Sequence, residues 1–276
     1  MNFFLDTEFI EGTQNKYFLD IPYGSTVPTI DLISIGIVSE DGREYYAISK
    51  DFNLKEAWNR WQQRTGCGDL NNLLPKEFWI KYNVLKPIWQ ELREKIEPIA
   101  SLYEDEERPY IHNTFSYNSL KELIEYFGKT NKEIAKEVIE FVYDIKPEDM
   151  SNIPPMVDLK QYNYWQGKQN IAFYGYYSAY DWVVFCWLFG KMIDLPKDFP
   201  MYCNDLKQMK ENSIQKLVKN SRKDAMFGYK DKGQLVEVQS FEDLPDYPKQ
   251  TNEHNALADA KWNFELYKYL TINEII

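Results

Sequence analysis

MNFFLDTEF, residues 1–9, opens as an apolar strand that two acids interrupt. Phe3, Phe4 and Leu5 supply the strand-forming run, and Asp6 and Glu8 follow at a spacing of two. Alternate residues of a strand share a face, so both carboxylates project the same way. Two like charges side by side on an apolar strand are costly unless water or a cation lies between them. Two readings follow. Either the strand emerges there and both acids are solvated, or a hard divalent cation such as Mg²⁺ sits between them, because such ions prefer carboxylate oxygens.

Outward from this strand the pattern stays β for fifty residues. Glu11 to Pro28, with Gly12, Pro22, Gly24 and Pro28, reads as a loop or an irregular hairpin tip. Asp31 to Glu40, DLISIGIVSE, alternates and is β-branched, which predicts a strand. Asp41-Gly42 is a two-residue hairpin turn, and Arg43 to Lys50 returns as a third strand. From Asn53 the period becomes helical, through Leu54, Ala57, Trp58 and Trp61, then Ile88, Leu92, Ile96 and Ile99. Gly66-Cys67-Gly68-Asp69 separates the two. The acidic run Glu104 to Glu107 reads as a solvated turn. Asn118 to Phe127 and Lys132 to Tyr143 read as amphipathic helices, and Pro147, Pro154 and Pro155 close that region.

A strand at Asn170 to Tyr176 leads into SAYD, residues 178–181, and then WVVFCWLFG. That run is apolar almost all round, which predicts a buried helix stopped by Gly190. Ser178 and Asp181 stand at capping-box spacing, which by itself explains the acid. An acid in the first turn of a helix that follows a strand is equally well placed to face a cation at the sheet edge. Near the C-terminus stands HNALADA, residues 254–260, before a final helix through Trp262, Leu266 and Tyr269. On one helix His254 and Asp259 would splay by about 140°, so His254 is placed in the preceding loop and Asp259 in the first turns. A histidine titrates near neutral pH and can take a proton from water. A polar loop residue and a helix N-terminal acid would explain the same two positions.

Composition narrows the classes. The 276 residues are 44% hydrophobic and 16% aromatic, enough for one large domain or two small ones. No apolar run reaches the ~18 residues of a membrane span, and Asp6 interrupts any leader-like stretch early. Cys67, Cys186 and Cys203 are odd in number and lack CxxC spacing, which fits a reducing cytoplasm rather than a zinc site or a disulfide scaffold. A net charge of −11 counts against a phosphate-bearing partner unless some acids hold cations or basic residues cluster. One segment does cluster them: Lys216 to Gly233 holds six basic residues against Asp224 and Asp231, with Phe227 and Tyr229 inside it. Mixed basic and aromatic residues suit single-stranded nucleic acid, with Lys216, Lys219, Arg222 and Lys223 as candidate phosphate contacts, and a solvated helix or loop explains the same segment.

DxE on the first strand, an aromatic-flanked acid opening a mid-chain helix, and HxxxxD opening the last helix occur in that order. In that order the chain resembles the DEDDh 3′→5′ exonucleases, and within them the mycobacterial-type 3′→5′ exoribonucleases. The resemblance runs through FLDTEFIE (4–11), DLISIGIVSEDGREYYAIS (31–49), WIKYNVLKP (79–87), AYDWVVFCWLFG (179–190), NDLKQ (204–208) and HNALADA (254–260). It implies an RNase H-like fold: one α/β domain over 1–276, with a mixed sheet led by three antiparallel strands and flanked by helices. It implies that Asp6, Glu8, Asp181 and Asp259 hold two Mg²⁺ ions, with Mn²⁺ able to substitute. Asp6 would bridge both ions, Glu8 and Asp259 completing one site and Asp181 reaching the other, with His254 the general base. Thr7, Phe9 and Trp182 beside the acids are candidates to meet the terminal nucleotide, and Phe9 and Trp182 read equally as ordinary core aromatics. Single-stranded or 3′-tailed RNA is the implied substrate, with a homodimer and no membrane partner. DNA as substrate, or a nuclease-like module that binds without cleaving, stay open. Roughly 103–167 and 209–253 have no counterpart in the family, and are expected as a helical appendage and a basic insertion.

Overall fold

The computed structural model describes residues 1–19, 21–63, 76–100, 113–145, 170–212, 228–231, 234–237, 241–244 and 246–272. The first strand, β1 (Asn2–Gly12), leads to a hairpin of β2 (Asn15–Phe18) and β3 (Ile21–Ser25), the irregular tip expected from the turn residues. β4 (Thr29–Ser39) runs antiparallel to β1, and β5 (Glu44–Ile48) antiparallel to β4. Gly42 turns between them at φ +88°, its N–H donating to the Ser39 carbonyl. Helix α1 (Leu54–Asn59) and two short strands, β6 (Gln62–Gln63) and β7 (Lys76–Glu77), precede a π-helical turn at Lys81–Leu85 that continues as α2 (Lys86–Ala100). Helices α3 (Tyr117–Phe127) and α4 (Asn131–Val142) follow. Then come β8 (Ala172–Gly175), α5 (Ala179–Leu188), β9 (Asn204–Asp205), the hairpin strands β10 (Gly228–Asp231) and β11 (Gln234–Glu237), and α6 (Ala256–Ile272).

Five strands form one mixed sheet in the order β5-β4-β1-β8-β9, with β8 parallel to β1 and β9 parallel to β8. β1 is its middle strand, which is why residues 3–5 and 10 are wholly buried. Phe3 and Leu5 pack with Phe173, Phe185 and the buried stripe Ile134, Val138, Ile139 and Val142 of α4. Phe4, one residue on, faces the other way, against Phe264 and Tyr267 of α6 at ring distances of 4.9 and 5.1 Å. A second core gathers Ile10, Ile33 and Ile48 under Val84, Ile88 and Leu92. No helix among the described residues is long and apolar enough to cross a membrane.

Of the segment expected as a helical appendage, residues 113–145 are described, and they pack on the core: α4 covers the sheet, α3 buries Leu120 and Ile124, and Lys129 between them hydrogen-bonds to the β5 edge through Ile48 and Lys50. Two sequence expectations are corrected. The all-round apolar helix α5 is not buried on every side. It does stop at Gly190 (φ +107°), but Tyr180, Val183 and Trp187 form an exposed stripe at helical spacing. Nor does a capping box form there: the Ser178 side chain makes no cap bond, and its N–H donates to Asp205 Oδ2 at 3.1 Å instead. The residues 216–223 of the basic segment, Gly66 to Asp69 and Glu104 to Glu107 lie outside the described residues.

Gly36 decides how closely α6 meets the sheet. It sits opposite Asp6 in the β1–β4 register, and a Cβ there would collide with the backbone of Ala256 and Leu257. The absence of a side chain lets the first turn of α6 lie directly on β4. Gly36→Ala is expected to destabilise the fold by about 1–3 kcal/mol through overpacking against immovable backbone. A lower urea midpoint at unchanged slope would register it.

Candidate active site

β8 pairs with β1 over Asn2–Phe4, and β1 continues beyond it, so Asp6 lies where its parallel neighbour has ended. Crevices outside the carboxyl ends of parallel strands are where open α/β sheets hold ligands. Two helices bring their first turns to this point from opposite sides of β1. On the α5 side, Asp181 Oδ1 accepts from the Thr7 N–H at 2.9 Å and from the Thr7 hydroxyl at 2.6 Å. On the α6 side, Asp259 meets Asp6 and Glu8, and one oxygen from each of these three carboxylates lies within 4.8 Å of the others. Asn263, one turn further along α6, is buried and donates through Nδ2 to the Leu5 carbonyl at 3.0 Å, tying the helix to β1.

Asp259 is itself held from two directions. Gln250 Nε2 donates to Oδ1 at 2.6 Å, and the His254 N–H donates to Oδ2 at 2.9 Å. His254 precedes α6, with its backbone in the left-handed region at φ +67°, and its ring packs edge to face on Trp79 at 4.7 Å. Asn255 caps the helix by accepting from the Ala258 N–H at 3.0 Å.

The electrostatics are those of confined like charge. Burial, then the charges of Asp181, Glu8 and Asp259, push the Asp6 carboxyl well above the usual range. Burial, followed by Asp259 and Asp181, raises Glu8 to about 8. Asp181 rises to about 6 through burial, against the opposing effect of its two Thr7 hydrogen bonds. Burial also raises Asp259, offset by Gln250 and by the His254 N–H. All four groups thus hold their protons more tightly than solvated acids do.

The candidate residues from the sequence separate clearly. Asp6, Glu8 and Asp259 converge, Asp181 stands behind Thr7, and His254 joins Asp259 through its backbone. Phe9 follows Glu8 across a β-bulge and meets Tyr180 edge to face at 5.9 Å. Trp182 points into the core, 8% exposed and stacked on Phe185 at 5.0 Å; the exposed ring on that turn is Tyr180, at 53%. Lys216, Lys219, Arg222 and Lys223 lie outside the described residues. Sequence reading passed over Gly36, Trp79, Gln250, Asn263 and the hydroxyl of Thr7 as a partner for Asp181. Thr7, Gly36 and Trp79 stood in stretches already singled out, but for other reasons.

The fold and site define a class: an α/β protein with a mixed sheet flanked by helices and a buried carboxylate cluster at the carboxyl end of a parallel strand. No protein-family profile matches the chain. It is similar to two proteins of Mycobacterium tuberculosis, from strains CDC 1551 / Oshkosh and ATCC 25618 / H37Rv, each named 3′-5′ exoribonuclease. Each is 26% identical to it over 212 residues, spanning 77% of this chain and 75% of the relative.

Proposed function

We propose that this chain is a metal-dependent 3′→5′ exoribonuclease of the DEDDh type, with an RNase H-like fold. It would release nucleoside 5′-monophosphates from the 3′ end of single-stranded or 3′-tailed RNA. The observation that carries the reading is the convergence of Asp6, Glu8 and Asp259 within 4.8 Å, in a chain similar to proteins named for that activity. The donor set suits Mg²⁺ or Mn²⁺: it is all oxygen, and the penalty on its buried negative charge is one that cations relieve. Asp6, Glu8 and Asp259 would hold one ion, and Asp6 with Asp181 a second. Two such ions stabilise the charge that gathers on the attacking and leaving oxygens of a phosphodiester.

The protein's own groups do the rest. A water oxygen bonds to phosphorus while the bond to the 3′ oxygen breaks. His254 accepts the water's proton, and the freed 3′ oxygen of the shortened RNA takes a proton from solvent. Phe9, with Tyr180 against it, packs on the terminal nucleotide, while Lys216, Lys219, Arg222 and Lys223 contact phosphates upstream. The whole chain, 1–276, forms the nuclease domain, works in the cytoplasm and pairs as a homodimer.

A gel time course on 5′-labelled RNA with a 3′ tail, in Mg²⁺, Mn²⁺ or EDTA and beside matched DNA, tests this. A metal-dependent ladder shortening from the 3′ end is expected, faster on RNA. An unchanged band in every lane overturns the reading in favour of a binding module, and a faster DNA ladder overturns the substrate. The Thr7 hydroxyl gives a finer check. Thr7→Val keeps the backbone bond to Asp181 and removes the 2.6 Å one. It is expected to raise the Mg²⁺ concentration for half-maximal rate by about 10- to 100-fold, the usual cost of losing a partner behind a ligand.

A further inference from the structure

We propose that Trp79 is a positioning residue that orients the imidazole of His254 for proton transfer. The proposal rests on the exonuclease reading and deepens it. A histidine acting as a general base is ordinarily aimed by a hydrogen bond at its second ring nitrogen. Here, among the described residues, the hydrogen bond at His254 is made by its backbone, N–H to Asp259, and neither ring nitrogen has a partner. The ring is placed by two other features. The backbone stands in the left-handed region at φ +67°, two residues after Asn252 at +57°, which fixes the direction in which the side chain leaves the loop. The ring of Trp79 then meets the imidazole at 4.7 Å with an interplanar angle of 76°, the edge-to-face geometry that aromatic pairs favour.

Trp79 is itself firmly placed. Its carbonyl accepts from Asn83 Nδ2 at 2.9 Å, and it packs on the core that holds Val84 and Leu85. Those residues belong to the π-helical turn Lys81–Leu85. A π turn carries one more residue than an α turn, so a plain α-helix through the same anchors would swing Trp79 round by about 100°. Such turns recur at functional sites. This one brings a residue from the front of α2 onto the loop before α6, and so onto the group that must face the attacking water.

The chain has two histidines, His112 and His254, which makes the contact directly visible. In histidine-labelled protein, the His254 ring protons are expected to be displaced by the indole ring current. They should return to the free-imidazole position in Trp79→Ala and stay displaced in Trp79→Phe, with His112→Gln assigning the signal. On 3′-tailed RNA, Trp79→Ala is expected to lower kcat by up to about 10²-fold, as a misplaced catalytic group does. KM should stay within about twofold, and Trp79→Phe should recover most of the rate. In a His254→Ala background, Trp79→Ala is expected to cost nothing further, because a residue acting through another is coupled to it.

An active wild type matched by Trp79→Ala, an equal loss in the His254→Ala background, or a raised KM with unchanged kcat would each overturn the positioning role. An unmoved His254 signal would do the same. A wild type that leaves RNA intact overturns the exonuclease reading, and this proposal with it.

Discussion

Asp6→Asn is expected to abolish turnover and, in metal-free buffer at pH 8, to raise the melting temperature. The two effects share one cause. Asp6 is half-buried beside Glu8, Asp259 and Asp181; loss of solvent first, and then their charges, push its carboxyl toward the neutral form. Asparagine has nearly the same shape and no charge, so it removes repulsion that the folded state must otherwise carry. The same charge is what draws cations into the site. Metal ions contribute several kcal/mol of transition-state stabilisation, and at about 1.4 kcal/mol per tenfold the loss in kcat is at least about 10³-fold. A misfolded variant would also be inactive, but it would melt lower. Single-turnover cleavage and thermal melts on the same preparation therefore separate lost chemistry from lost structure. An Asp6→Asn protein that turns over at the parental rate would remove Asp6 from the reaction. One that keeps the parental circular dichroism yet melts lower in metal-free buffer would show that the cluster is not under electrostatic load. A functional site that weakens the fold around it is a common trade.

What was legible in the sequence was local. Strand alternation placed Asp6 and Glu8 on one face, the Asp41-Gly42 turn set up the β4–β5 hairpin, and the five-residue step from His254 to Asp259 put the histidine in a loop and the acid in a helix. Residues whose partners are distant in sequence were not legible. The importance of Gly36 depends on the β1–β4 register and on where α6 lands, which no local pattern contains. Trp79 meets His254 across 175 residues of sequence, just before a π turn that helical periodicity does not signal. Ser178 and Asp181 match a capping box, yet Asp181 turns to Thr7, which offers two donors on the adjacent strand. The run from Trp182 to Phe189 has no polar face, so periodicity could not tell that Trp182 points in and Tyr180 and Trp187 point out.

Metal-stripped protein is expected to lose stability steadily as pH rises from about 5 to 8, and added Mg²⁺ or Mn²⁺ to restore it most at the alkaline end. The sign follows from which state holds protons more tightly. Glu8 titrates near 4.5 when solvated but is raised to about 8 in the fold, and Asp181 is raised from 3.8 to about 6. Asp6 and Asp259 shift the same way. The folded state therefore binds more protons than the unfolded chain throughout this interval, and stability must fall as pH increases. The contribution is complete below the ordinary carboxylate range. It is lost first through the Asp181 value and then through the Glu8 value. The usual salt-bridged acid behaves oppositely, gaining stability as it ionises. Divalent cations bind the ionised cluster of the folded state and stabilise it by mass action. They compete with protons for the same oxygens, so the gap between melts with and without metal should widen from pH 5 to pH 8. In a protein of this size about 1 kcal/mol moves the midpoint by roughly 2–4 °C, well within reach of a thermal melt. The remaining acids of a chain with net charge −11 add a general slope of their own, and Asp6→Asn measures it, since that variant should show a shallower fall than wild type. Metal-free midpoints that stay level or climb between pH 5 and 8 would mean that the four acids are solvated, and the case for cations between them would go with that result.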